Sequence, residues 1–257
     1  MPAHTPSFVD CHAHISDESF SRDLEEVIER AMARGVRSIL AVSENLGDAK
    51  RILALASRFP IIKPCAGLYP TVLEEEAARD MLAFVREHHE RLAAVGEVGL
   101  DFWVVKDTAD RDVQIRLFAE QIALARQVEL PLNVHSRSAG RHAIKVLRKC
   151  GAERVVLHAF DGKASSAMEA IEAGYYFSIP PSVVRSPQKQ RLVHHMPLEC
   201  LLLESDAPVL GPTKEERNEP ANVVVAAQAI ADIKRVSLDV VAAVTTENAY
   251  RVFPRLR

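Results

Sequence analysis

The stretch Ser7-Phe8-Val9-Asp10-Cys11-His12-Ala13-His14 joins a short apolar run to two histidines set two residues apart. The run over residues 7–10 predicts a buried strand. In extended chain, residues i and i+2 point to the same side, so both imidazoles can reach one metal ion while Cys11 and Ala13 point away.

The same layout recurs along the chain. Further short apolar runs at residues 38–42, 61–66, 93–98, 130–134, 155–157, 175–179 and 200–203 bring the number of predicted strands to eight. They are nearly continuously apolar rather than alternating, as parallel strands covered by helices are. Between them lie amphipathic stretches at 22–34, 49–58, 110–128, 141–150 and 164–173, with two more at 223–234 and 238–250. Gly35, Gly151 and Gly174 stand where helices would end, and Ser237 is placed to cap the last one.

Eight βα units in 257 residues give about 32 residues each, the economy of a (β/α)8 TIM barrel. We therefore expect an α/β barrel of the metal-dependent hydrolase type, a single domain over residues 1–257. A doubly wound open sheet is the structural alternative, but no G-x-G-x-x-G follows the first strand.

Composition narrows the classes of function. With 32 Lys+Arg against 35 Asp+Glu the net charge is −3, which excludes a basic nucleic-acid coat and predicts poor binding along a duplex. The cysteines Cys11, Cys65, Cys150 and Cys200 form no C-x-x-C pair, so a reducing, cytoplasmic setting is expected. No apolar stretch nears the ~18 residues of a membrane span, and residues 1–9 do not read as a signal peptide.

A barrel gathers its chemistry at the carboxyl ends of its strands. There the sequence puts His12 and His14 after the first strand, Glu97 and then Asp101 after the fourth, His135 after the fifth, His158 after the sixth and Asp206 after the eighth. A lone histidine at a strand end is ordinarily a hydrogen-bonded structural residue. Six nitrogen and oxygen donors at one end of five predicted strands are a metal-site pattern: His12, His14, Glu97, His135, His158 and Asp206. Because a carboxylate can bridge, two divalent metal ions are the economical reading. The other histidines, His4, His88, His89, His142, His194 and His195, fall on the tail, helices or loops and are assigned to packing or solvent.

These residues sit in the motifs G-E-V-G-L-D (Gly96 to Asp101), L-N-V-H-S-R (Leu132 to Arg137), H-A-F-D-G (His158 to Gly162), L-E-S-D-A-P (Leu203 to Pro208) and R-N-E-P (Arg217 to Pro220). In that order the chain resembles the TatD family of metal-dependent deoxyribonucleases, a branch of the amidohydrolase superfamily. Its wording is most similar to the subgroup of TatD domain-containing protein 3. The resemblance implies His12 and His14 on a first metal completed by Asp206, Glu97 bridging, and His135 and His158 on a second. It also implies hydrolysis of a phosphodiester, of 3′–5′ exonuclease type, at a DNA end or in a small substrate. One departure stands out: many members read G-[IVL]-H-P after the third strand, where this chain has Gly67-Leu68-Tyr69-Pro70. A tyrosine replaces histidine neither as a metal ligand nor as a base near neutral pH.

On this reading Asp206 is the general base and Glu97 sets the metal spacing. Arg137, two residues beyond His135, grips phosphate, while Arg217, Asn218 and Asn222 line the substrate channel. Asp101 fixes the tautomer of a ligand imidazole, and Asp10 does the same or braces the turn. Trp103 either stacks on a base or belongs to the core. Four imidazoles favour Zn, Mn, Fe or Ni over Mg, whereas the family resemblance also admits Mg. The chain is expected to act as a monomer without a membrane partner. Two rivals remain: an amidohydrolase acting on a small amide, lactone or nucleobase, though no lysine stands in the fourth strand for a carbamate bridge, and a non-catalytic metal-binding barrel.

Overall fold

A computed structural model describes residues 6–257 of the chain. Eight strands pair in parallel and in sequence order: β1 (Phe8–Ala13), β2 (Val36–Ala41), β3 (Ile62–Ala66), β4 (Ala94–Gly99), β5 (Leu132–His135), β6 (Val155–His158), β7 (Tyr176–Ile179) and β8 (Leu201–Leu203). The seam between the first and last is drawn together just beyond β8, where Asp206 N donates to His12 O at 2.9 Å and His14 N donates to Ala207 O at 2.8 Å. The architecture is the TIM barrel that the apolar runs predict.

Outside the strands lie α1 (Leu24–Ala33), α2 (Leu46–Arg58), α3 (Glu75–His88), α4 (Thr108–Gln127), α5 (Gly140–Lys149), α6 (Ala164–Glu172), α7 (Pro187–His195), α8 (Val223–Lys234) and α9 (Leu238–Val252). Local chemistry sets their ends. Asn45 caps α2 by accepting from Asp48 N at 3.0 Å, and Asp107 caps α4 by accepting from Ala109 N at 2.8 Å. Gly35 and Gly174 leave α1 and α6 at φ +90° and +80°, in the left-handed region that costs glycine least.

Two helices were not read from the sequence. The first, α3, opens on consecutive glutamates with no capping side chain, although Ala78, Met81, Phe84 and Val85 form its buried stripe. The second, α7, is nine residues long and buries only Leu192 and Val193, too little for a visible period. Strand ends also differ from the sequence reading. His12 lies within β1, and His135 and His158 are the last residues of β5 and β6. Polar site residues cut each apolar run short of the true strand end.

Val9, Leu40, Cys65, Val156 and Leu202, from five strands around the barrel, meet in one buried cluster with Phe253, which follows α9. Strands so far apart in the ring can share a cluster only through the barrel interior. At the opposite end from the site, Arg255 Nη1 donates to Leu92 O at 2.7 Å, just before β4 begins. Among the described residues, no helix is long and apolar enough to cross a membrane.

Candidate metal centre

Two glycines of β4 let the site form. A Cβ on Gly96 would stand 2.6 Å from Asn133 Cβ, and one on Gly99, at φ +143°, would stand 2.0 Å from His135 O. Only glycine admits that approach of β4 to β5, which brings Glu97 and His135 together. Three non-glycine residues with left-handed φ lie next to the site: Ser138, Ala159 and Asp206, at +57°, +43° and +54°. Strain of this kind gathers where side chains are held for function.

The six expected ligands converge. In one set, His12 Nε2 and His14 Nε2 are 3.3 Å apart. They lie 3.6 and 3.4 Å from Glu97 Oε2, and 3.5 and 3.6 Å from Asp206 Oδ1. A tetrahedron of donors about 2.0–2.2 Å from a central ion has edges of about 3.3–3.6 Å, so the two histidines are spaced to share an ion with either carboxylate. Glu97 Oε2 is buried and has no hydrogen-bond partner, a costly state that a cation between the four donors would relieve.

In the other set, Glu97 Oε1 lies 2.7 Å from His135 Nδ1 and 2.8 Å from His158 Nε2, with those nitrogens 3.1 Å apart. These three atoms are also close enough to hold an ion. Glu97 thus turns one oxygen to each pair of histidines.

Neighbours fix the imidazoles. Asn133 Oδ1 accepts from His12 Nδ1 at 2.8 Å, which leaves Nε2 free to ligate. Asp101 Oδ2 lies 3.0 Å from His135 Nε2 and does the same for Nδ1. Asp101 also pairs with Arg137 at 2.7 Å and accepts from the backbone of Trp103 and Val104. Glu204, buried beyond β8, accepts from Ala159 N at 2.9 Å through Oε1 and from the Ser178 hydroxyl through Oε2, which also lies 3.7 Å from His158 Nδ1. The sequence reading missed Asn133 and Glu204. Each is a polar residue in or directly after an otherwise apolar strand, which is the sign that would have found them.

The electrostatics are those of a crowded cluster. Burial, with His158 alongside, pulls His12 down to about 3. Burial also pulls on His14 and His135, but Asp206 and Glu97 outweigh it at the first, and Glu97 and Asp101 at the second, lifting both to about 9. Against its own burial, Glu97 is held well below the usual carboxylate range by His158, His12 and His135.

A cavity of about 1410 Å³ opens from this cluster and extends between α1 and α2. Arg137 and Tyr69 line it, the Tyr69 ring lying edge-on to His135 with centroids 5.2 Å apart. Other expected residues stand elsewhere. Arg217 pairs with Asp23 and lies over Phe20. Asn218 is buried, donates to Ser205 O and Val209 O, and accepts from Asn222. Arg217, Asn218 and Asn222 brace the loop after β8 and do not line the cavity, so their expected place in the substrate channel is corrected. Asp10 touches no site imidazole: it accepts from the Ser205 amide and hydroxyl and the His12 amide, bracing the turn that carries Asp206. Trp103 is 62 % exposed and so outside the core. Of the histidines set aside, His88, His142, His194 and His195 lie on helices and His89 just after α3, away from the cluster. His4 lies outside the described residues.

The profile of the TatD related DNase family matches residues 9–254. The chain belongs to that family. Among TatD-family relatives, human deoxyribonuclease TATDN3 is 44 % identical over 269 aligned residues, covering 100 % of this chain and 98 % of the relative. The metal-dependent hydrolase YabD of Bacillus subtilis is 36 % identical, over 95 % of this chain and 98 % of that one. Among solved structures, the TatD homologue YJJV of Escherichia coli superposes with a TM-score of 0.89 at 27 % identity, over 96 % of this chain and 98 % of that one. Membership of the TatD family and the clustered donors agree on a metal-dependent hydrolase.

Proposed function

We propose that this TatD-family chain is a deoxyribonuclease that removes nucleotides from the 3′ end of single-stranded DNA, or cleaves a small phosphodiester, with two divalent ions. The observation that carries the reading is Glu97, whose two oxygens face two separate pairs of histidines. His12, His14 and Asp206 would hold one ion and His135 and His158 the other, with Glu97 shared. Zn suits the imidazole-rich donors best, and the two carboxylates also admit Mn. When bound, such ions offset phosphate charge and lower the pKa of water from 15.7 to about 7.

The remaining work falls to this chain's own groups. Asp206 is held ionised: burial favours its neutral form, but His14 and His12 outweigh it. Its carboxylate is the acceptor for the proton of the attacking water. Arg137, oriented by Asp101, offers its guanidinium to a non-bridging phosphate oxygen. Tyr69, whose hydroxyl burial pushes up and which therefore stays protonated, donates a hydrogen bond at the same face.

The cavity favours an end over a long strand, because nine carboxylates line it against five cations, an excess of 9 − 5 = 4. A reducing, cytoplasmic setting agrees with the four free cysteines.

The test is hydrolysis of single-stranded DNA by metal-loaded protein, with EDTA and Asp206→Ala as controls. Mononucleotides released stepwise from the 3′ end, and abolished in both controls, are expected. No release, together with turnover of an amide or lactone panel, would overturn the reading.

A further inference from the structure

One cation beside the cluster belongs to none of the motifs. Lys189 stands in the first turn of α7, and its Nζ donates to the carbonyl of Ala159, the residue after His158, at 2.9 Å. That is its one hydrogen bond, and it makes no ion pair among the described residues. An ammonium carries three N–H donors, so two remain unused. The side chain lines the same cavity as His158, Asp206, Arg137 and Tyr69.

The neighbourhood holds this lysine in place. Gln188 Nε2 donates to Asp161 O, and Ser138 N donates to Asp161 Oδ2 at 2.9 Å. The loop after β6 therefore ties the start of α7, with Lys189, to the loop after β5, with Arg137. Burial draws the Lys189 ammonium below the usual lysine range against Glu204, Asp206 and Asp161 at longer range, and none of these carboxylates consumes its free donors. Elsewhere in the cavity Arg51 is paired with Asp48, and Arg22 and Arg58 lie toward α1 and α2. Lys189 and Arg137 are thus the two cations next to the site donors.

We propose that Lys189 is a phosphate-binding residue, its two free N–H donors taking non-bridging oxygens of the substrate phosphate beside Glu97, His135 and His158. This rests on the phosphodiesterase reading and sharpens it. With two of the cavity's five cations next to the site donors and carboxylates in excess, the enzyme grips one or two phosphates and not a run of backbone. For a single strand, binding falls with salt at a log–log slope of about −0.7 per neutralised phosphate. The Lys189→Gln variant is expected to lose about that much slope.

The deciding experiment is calorimetric titration of thymidine 5′-monophosphate into metal-loaded wild type, Lys189→Gln and Lys189→Arg, with metal content and Tm measured on each. Lys189→Gln is expected to bind about tenfold more weakly or worse, as loss of a charge-assisted hydrogen bond does. Metal content should be unchanged, and Lys189→Arg should recover most of the affinity. Unchanged affinity overturns the proposal, and so does a loss that follows metal release and is not recovered by arginine. If Lys189→Gln does not fold, the wild type decides: thymidine 5′-monophosphate should protect Lys189 from reductive methylation, and absence of protection overturns the proposal. Binding through Lys189 without DNA cleavage would sink the nuclease reading alone. Cleavage with unchanged KM and affinity in Lys189→Gln would sink this proposal alone.

Discussion

The two halves of the cluster share Glu97 but are built differently. On the β1 and β8 side four donors gather: His12 and His14 stand 3.3 Å apart, and each lies 3.4–3.6 Å from Glu97 Oε2 and from Asp206 Oδ1. On the β5 and β6 side, Glu97 Oε1, His135 and His158 are three donors beside the cavity wall that carries Arg137 and Tyr69. Closed sites hold a metal, and sites with an open position work on a substrate. On the proposed two-ion reading, the four-donor set is the tighter metal site and the three-donor set the one that engages the phosphate, with Glu97 coupling them.

Removing the shared residue should have the largest effect. Glu97→Ala is expected to lose both ions, seen by elemental analysis, and to depress DNA hydrolysis by more than the roughly 10²–10⁴-fold typical of one lost acid–base group. A variant that keeps one full equivalent would break the coupling. Asp206→Asn should cost about 10²–10⁴-fold in kcat while the His135 and His158 side keeps its ion.

Orienting groups should do less. Asn133→Ala acts on the four-donor set and Asp101→Asn on the three-donor one, each with an expected loss of about 10–100-fold in metal affinity or rate. If the halves differ as described, chelator titration shows the two variants releasing different equivalents first. Release of the same equivalent by both would erase the distinction. Smaller still, Tyr69→Phe should raise KM by about fivefold, the worth of one neutral hydrogen bond.

Proton release gives a finer check. His14 and His135 are each lifted from 6.5 to about 9 in the ion-free site. The stabilisation they give the ion-free protein is full below about 6.5 and is lost as pH rises through about 9. An entering metal must displace those protons. Calorimetry in two buffers at pH 8 should therefore show protons released on metal uptake from both halves, and apparent metal affinity should rise with pH over this range.

The barrel and the gathering of donors at one end of it were legible in the sequence for a physical reason. Strands buried on both faces need apolar runs, and a site at their ends must interrupt those runs with donors, so His135 and His158 announce themselves as polar residues closing L-N-V-H and V-V-L-H. The substrate side was less legible. Arg217 and Asn218 sit in a loop whose sequence suits a channel, yet one is spent on Asp23 and the other on backbone carbonyls. Lys189 went unseen because its place depends on α7, a short helix with little apolar pattern, folding back over the loop after β6. Contacts between loops are set by packing across the fold, and local periodicity carries no record of them.

The most direct test of the two-set centre is anomalous diffraction from crystals soaked in Mn²⁺. Two peaks per chain are expected, about 3.5–4 Å apart. One should lie among His12, His14, Glu97 Oε2 and Asp206, and the other at Glu97 Oε1, His135 and His158 with solvent or phosphate completing its shell. A single peak, or peaks that leave Glu97 outside the shell of either ion, would contradict the shared carboxylate on which the whole reading stands.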